Sequence, residues 1–179
     1  ESENENLKSE LSLLRSQISP HFMFNVLNSL TALARKKSND LEPIIIKLSQ
    51  LMRYTIYHSA VPRVELETEL EYLQNYIDLQ RLRFGTHVTI NFKKDIGQPD
   101  FQIEPMLLIS FVENAFKHGS SFVTDPVIDI SIHCQRGILE FTVRNKFVDQ
   151  TQNDETHGVG LKNVKRRLEL LYEDKYDLS

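Results

Sequence analysis

Three short clusters in this sequence combine residue types that can accept, hold or move a charged group. The first is Ser19-Pro20-His21-Phe22-Met23-Phe24-Asn25. An imidazole titrates near neutral pH and offers a nucleophilic ring nitrogen. Asn25 lies four residues after His21 and shares its helical face, and Gln17 lies four before it. Pro20 removes a backbone donor one residue before His21. It either kinks a continuous helix or opens a new one with Ser19 as N-cap; in the second case His21 sits by a helix N-terminus that welcomes a phosphoryl group. Taken alone, the cluster also fits a surface histidine beside a kink.

The second cluster is Glu113-Asn114-Ala115-Phe116-Lys117-His118-Gly119. Asn114, Lys117 and His118 fall on one side of a helix, with Leu107, Ile109 and Val112 as buried bulk. An amide oxygen is a hard ligand suited to Mg2+, and a lysine is a compact charge for phosphate. The Glu113 carboxylate beside them can orient or deprotonate a nucleophile. The bland alternative is an exposed Glu113–Lys117 ion pair one turn apart. The third cluster is Gly158-Val159-Gly160-Leu161 with Asn163. Glycines allow close backbone approach to a phosphate, and the helix that follows supplies donors and a positive dipole end. A flexible loop entering a helix explains the same pattern.

The elements that must carry these clusters are legible from periodicity. Leu7, Leu11, Leu14 and Ile18 form a coiled-coil seam that resumes with Phe22, Val26, Leu30 and Leu33. Arg35, Lys36 and Lys37 close that helix, and Ser38-Asn39-Asp40 reads as turn and N-cap. A second helix places Leu41, Ile44, Ile45, Leu48, Leu51, Met52 and Ile56 on one face. The short turn predicts an antiparallel helical hairpin over residues 1–62, and two such hairpins bury their faces economically as a dimeric four-helix bundle.

After Val61-Pro62-Arg63 the pattern changes. The spacing predicts a helix from Leu66 to Phe84, a strand from Val88 to Phe92, and a helix from Met106 to Lys117 ended by Gly119. Ile128, Ile130 and Ile132 alternate with polar residues, as do Leu139, Phe141 and Val143, with Gln135-Arg136-Gly137 turning between them. A last helix spans Leu161 to Tyr172. Residues 63–179 therefore read as an α/β sandwich, a mixed sheet covered by helices on one face, and the chain as multidomain α and α+β.

Composition narrows the function. Of 179 residues, 40% are hydrophobic and 26% charged, which suits a folded soluble chain. The net charge of −4 and pI of about 5.9 give no electrostatic case for nucleic acid binding. Cys134 is the single cysteine, so internal disulfides and cysteine-built zinc sites are excluded; alternation with apolar residues makes it a structural thiol. No stretch reaches the roughly 18–20 apolar residues of a spanning helix, so no membrane contact is expected of this piece. Glu1 to Glu10 run straight into the helical pattern, as expected of a piece cut from a longer chain.

Taken together and in order, the motifs resemble those of the LytS/YehU-type sensor histidine kinases of bacterial two-component systems. LRSQISPHFMFNVLNSL, from Leu14 to Leu30, is similar to the family's phosphoacceptor motif. ENAFKHG, Glu113 to Gly119, resembles the asparagine box of the GHKL (Bergerat) ATP-binding fold. HGVGLKNVKRRLELLY, His157 to Tyr172, resembles its glycine-rich box and following helix.

The resemblance implies ATP and Mg2+ as cofactors, autophosphorylation of His21, and transfer to an aspartate of a response regulator receiver domain. It implies that Asn114 binds Mg2+, Glu113 polarises or orients the attacking group, Lys117 and His118 face the phosphates, Gly158 and Gly160 hinge a lid over ATP, and Leu161 and Asn163 belong to the same nucleotide-binding set. Asn25 would orient a water that dephosphorylates the regulator. It further implies a homodimer and a cytoplasmic location within a membrane-anchored parent protein. Two departures stand out. Phe22 occupies the position after the phosphoacceptor where many histidine kinases carry an acid. Asn145, ending the second long strand, stands where many GHKL proteins use an aspartate to read adenine. The family's domain also continues with a further strand, which Tyr176-Asp177-Leu178 would begin. Two other functions keep the same motifs: a dimeric signalling scaffold with a degenerate nucleotide site, and a GHKL-type ATPase or serine kinase.

Overall fold

The computed structural model describes residues 20–58, 61–97, 100–119, 124–146, 159–173 and 175–179. The Leu7–Ile18 seam, Ser19, Gln17 and Gly158 lie outside them. Helix α1 runs Pro20–Arg35 and buries Phe22 and Val26. It ends in a Schellman motif: Lys37 takes φ 52°, Ser38 N–H donates to Leu33 O at 3.0 Å, and Lys37 N–H to Ala34 O at 3.0 Å. Ser38 Oγ then accepts from Asp40 N–H at 3.2 Å, and α2 begins at Leu41 and continues to His58. The expected turn and cap are thus present, with a lysine in the left-handed conformation.

The apolar residues of α2 divide between two faces. Leu48, Leu51 and Tyr54 are buried, whereas Ile45, Met52, Ile56 and Tyr57 are exposed, as are Phe24 and Leu27 of α1. The single apolar face expected of α2 is therefore two stripes, and the buried one packs on α3. Helix α3, Leu66–Phe84, starts and stops where its periodicity predicts and is capped by Gly85 at φ 56°. Leu66, Leu70, Leu73 and Ile77 are fully enclosed, each contributing roughly 1.5–3 kcal/mol. One hydrophobic cluster runs from Phe22 and Leu51 through α3 to Ile128 and Ile130.

Three strands form a mixed sheet in the order β2-β4-β5: β2 Thr89–Ile96, β4 Val127–Gln135 and β5 Ile138–Asn145. β2 and β4 are parallel, and α4, Ile109–Gly119, lies between them in the chain; β4 and β5 are antiparallel. Arg136 at φ 51° and Gly137 at φ 77° make the two-residue connection, as a twisted hairpin requires. Ile128, Ile130, Ile132 and Cys134 point into the core. Asp129 and Ser131 alternate to the exposed side, and half-buried His133 follows in the same register. Cys134 is a free, buried thiol, as expected. The chain is thus α+β, with helices and a mixed sheet.

Several details differ from the periodicity. β2 continues four residues beyond Phe92. A two-residue ladder pairs β1, Val64–Glu65, with β3, Gln102–Ile103; it is too short for alternation to reveal. α4 begins at Ile109 rather than Met106, because residues 105–108 form a turn with Met106 at φ 58°. That turn's backbone groups bond to side chains, so they are not available to a helical ladder: Glu69 takes the Met106 and Leu108 amides and Arg167 the Pro105 and Met106 carbonyls. α5 runs Val159–Tyr172, so Gly160 falls inside its first turn. Residues 175–179 carry no strand.

Candidate functional site

Each predicted site residue on α1 and α4 owes its position to an apolar neighbour. Phe22 and Val26 occupy the buried side of α1, which leaves His21 exposed and Asn25 half-buried one turn along. The Asn25 Nδ2 lies 3.3 Å from both His21 Nδ1 and Nε2, and Ser29 Oγ donates to Asn25 O at 3.1 Å. The pair expected to share a face therefore touches. Which ring nitrogen accepts depends on the tautomer.

On α4, Ile109, Val112, Ala115, Phe116 and Gly119 form the buried stripe. Glu113, Asn114 and His118 sit half-buried along its margin, and Lys117 is exposed. Burial pushes the Glu113 carboxyl up to about 7. Its charge in turn adds to the burial that raises the phenols of Tyr72 and Tyr76 on α3. A carboxyl that titrates near neutrality can take or return a proton at little cost.

The end of α4 meets the end of β5. A Cβ on Gly119 would lie 2.6 Å from Asn145 Cβ and 2.9 Å from Asn145 Nδ2, so only glycine lets these elements approach so closely. Asn145 Nδ2 donates to Lys146 O at 3.1 Å. Asn145 therefore adjoins the Glu113–Gly119 motif although 25 residues of sequence lie between it and Gly119. α5 packs beside α4 and carries Leu161, exposed, and Asn163, half-buried.

An aromatic run joins the two clusters. Phe22, next to His21, lies 4.6 Å between centroids from Tyr76, which lies 6.0 Å from Phe116, next to Lys117. Among the described residues, the hydrogen-bond partner of the His21 ring is Asn25, and burial is the cause of the Glu113 shift.

Periodicity did not single out four further residues. Glu69, Glu104 and Arg167 are charged yet at most 2% exposed, and Tyr54 is 7% exposed. Arg167 bonds Glu104 Oε1 through Nε at 3.2 Å and Nη2 at 3.1 Å. Its guanidinium also donates to Met106 O at 2.9 Å and Pro105 O at 2.8 Å. A signal existed in the sequence: Glu69 interrupts the stripe Leu66, Leu70, Leu73, Ile77, and Arg167 sits between Val164 and Leu168.

Comparison with known proteins gives this geometry a context. Residues 9–88 match the model of a family described as histidine kinase. The chain is 31% identical, over 93% of its length, to the sensor protein LytS of Staphylococcus haemolyticus. It is 32% identical over 92% to the sensor histidine kinase YpdA of Escherichia coli, and 29% identical over 96% to the sensor histidine kinase BtsS of the same species. It spans 31% of the length of each of these relatives.

Proposed function

Because this chain belongs to the histidine kinase family, alongside LytS-type sensors, we propose that it is the kinase core of a two-component sensor. ATP is the phosphoryl donor, His21 the acceptor, and an aspartate of a response regulator the next acceptor. Residues 1–62 act as the dimerising phosphoacceptor hairpin and residues 63–179 as a GHKL-type ATP-binding domain. The observation that carries the proposal is the pairing of an exposed His21, held by Asn25, with a separate helix whose margin presents Glu113, Asn114 and Lys117.

The residue types fit a Mg-nucleotide. Asn114 offers one hard oxygen, and no group of three or more acidic, histidine or cysteine ligands occurs among the described residues. Such a site suits Mg2+, which keeps waters and takes substrate phosphates as its remaining ligands. Bound there, Mg2+ would neutralise phosphate charge. Lys117 and His118 add positive or donor character at the same helix end, and Asn145, which adjoins Gly119, would accept from the adenine amino group through its amide oxygen.

In the transfer, a neutral His21 ring nitrogen forms a bond to the γ-phosphorus as the bond to the β-phosphate oxygen breaks, and ADP leaves. The other ring N–H then gives up its proton. With Phe22 in the next position, Glu113 is the base this chain offers, and its carboxyl near 7 suits that task at physiological pH. Transfer requires the donor and the imidazole within about 3–3.5 Å, so the placement of the two halves relative to each other governs the rate.

The test is phosphorylation by γ-labelled ATP with the labelled residue mapped. We expect label on His21, none in His21→Gln, and dimerisation retained in that variant. Label persisting in His21→Gln would overturn the assignment. Asn114→Ala should lose Mg-ATP binding in the same preparation.

A further inference from the structure

A carboxylate sealed from water is costly, so its hydrogen bonds indicate what it is there to hold. Glu69 of α3 is fully enclosed. Its Oε2 accepts the Met106 amide at 2.9 Å and its Oε1 the Leu108 amide at 3.3 Å, in the turn that leads directly into α4. A third donor comes from the hairpin: Tyr54 Oη of α2, 2.5 Å from Glu69 Oε2. The Tyr54 ring is set by stacking on Tyr72 at 4.3 Å and by contact with His58 at 4.7 Å. From the opposite side, Arg167 of α5 grips the Pro105 and Met106 carbonyls. One side chain thus bonds both to the helix paired with the His21 helix and to the turn that aims Glu113 and Asn114.

We propose that Glu69 is a positioning residue for phosphoryl transfer: through the Tyr54 hydroxyl and the Met106 and Leu108 amides it fixes the hairpin against the nucleotide helix. This rests on the kinase function proposed above. The tight Lys37 turn and the Phe22–Tyr76 contact make α1 follow α2, so a change at Tyr54 is carried to His21. Other polar ties join the hairpin to α3: Lys47 to Asp78 at 2.8 Å is partly exposed and therefore screened, and Thr55 hydrogen-bonds the Tyr72 side chain without touching the turn that leads into α4. The Tyr54–Glu69 bond has no such escape to water.

Tyr54→Phe tests this by deleting one hydroxyl while keeping the ring. In the intact protein we expect the Kd for Mg-ATP, read with a fluorescent ATP analogue, to stay within about twofold. The rate of His21 labelling at saturating ATP should fall roughly tenfold, as expected for loss of one hydrogen bond to a charged group. Glu69→Gln should, independently of catalysis, speed amide hydrogen exchange by roughly tenfold or more at Met106 or Leu108, whichever amide meets the new NH2 group, since an amide nitrogen cannot accept while the remaining oxygen still can. A Tyr54→Phe protein that labels at the wild-type rate overturns the proposal. So does one, still cooperatively folded, whose affinity and rate fall together, or unchanged exchange in Glu69→Gln. A wild-type protein that takes no label refutes the kinase function itself; a labelled wild type with an unaffected Tyr54→Phe refutes only the role of Glu69.

Discussion

Arg167→Met is the perturbation whose cost follows most directly from the coordinates. Arg167 is 2% exposed and Glu104 1%. Methionine keeps much of the volume but removes both contacts to Glu104 and the donors to the Pro105 and Met106 carbonyls. Breaking a buried pair from one side typically costs about 3–5 kcal/mol, because the remaining charge stays buried without its counterion. Two released carbonyls add to this, although relaxation of the turn toward water recovers part of it. At about 2–4 °C per kcal/mol for a chain of this size, the melting temperature should fall by roughly 6–20 °C. The check is urea unfolding of the wild type, Arg167→Met, Glu104→Gln and the double variant. Removing both charges should restore about half or more of the loss, because the penalty lies in the stranded carboxylate rather than in the absent pair. An Arg167→Met protein within about 1 kcal/mol of wild type would refute the reasoning, as that is the range of a surface substitution. A double variant no more stable than Arg167→Met would refute it equally.

Three other outcomes are expected. The folded state holds the Glu113 proton to about pH 7 against an ordinary 4.5, so it binds more protons than the unfolded chain between those values; stability should fall as pH rises through that window, by at most about 3 kcal/mol, and Glu113→Gln should flatten urea midpoints measured from pH 4.5 to 8. Gly119→Ala puts a Cβ 2.6 Å from Asn145 Cβ; we expect about 1–3 kcal/mol of destabilisation and a weaker Kd for a fluorescent ATP analogue, and an unaltered Kd would remove Asn145 from the nucleotide site. Ile56 is 68% exposed on the open stripe of α2, so Ile56→Glu should leave the melting of the single chain within about 0.5 kcal/mol yet shift sedimentation toward monomer; an unchanged dimer would place the interface elsewhere.

Long periodic elements were legible from the sequence alone. Leu66–Phe84 could be bounded at both ends because its apolar stripe and Gly85 agree, and β4 and β5 because Ile128–Ile132 and Leu139–Val143 alternate without interruption. The contact of Asn25 with His21 followed from a spacing of four. The start of α4 was not legible. Pro105 and Met106 look like a first helical turn, and only the distant side chains of Glu69 and Arg167 redirect their backbone bonds. The division of α2 into two apolar stripes was hidden for a similar reason, since hydropathy records that a residue is apolar and not which neighbour covers it. For the site, the members of α4 share a local pattern, whereas the approach of Asn145 to Gly119 depends on sheet register. Glu69 and Arg167 escaped notice because a single charge within an apolar stripe reads as noise until its partner is located.

The open face of the sheet constrains how the molecule can be enlarged. Along it, Asp129 stands opposite Arg144 and His133 opposite Glu140, while His133 Nδ1 also meets Asp95 Oδ2 at 2.8 Å. A second layer laid over this checkerboard would have to dehydrate several ions at once, at a penalty of several kcal/mol each. Growth of the fold is therefore directed sideways. Among the described residues β2 and β5 flank β4 on either side; Arg81 already donates to Ile90 O of β2 at 3.1 Å, so a newcomer strand would meet main-chain donors and acceptors in place of charges along the β5 flank.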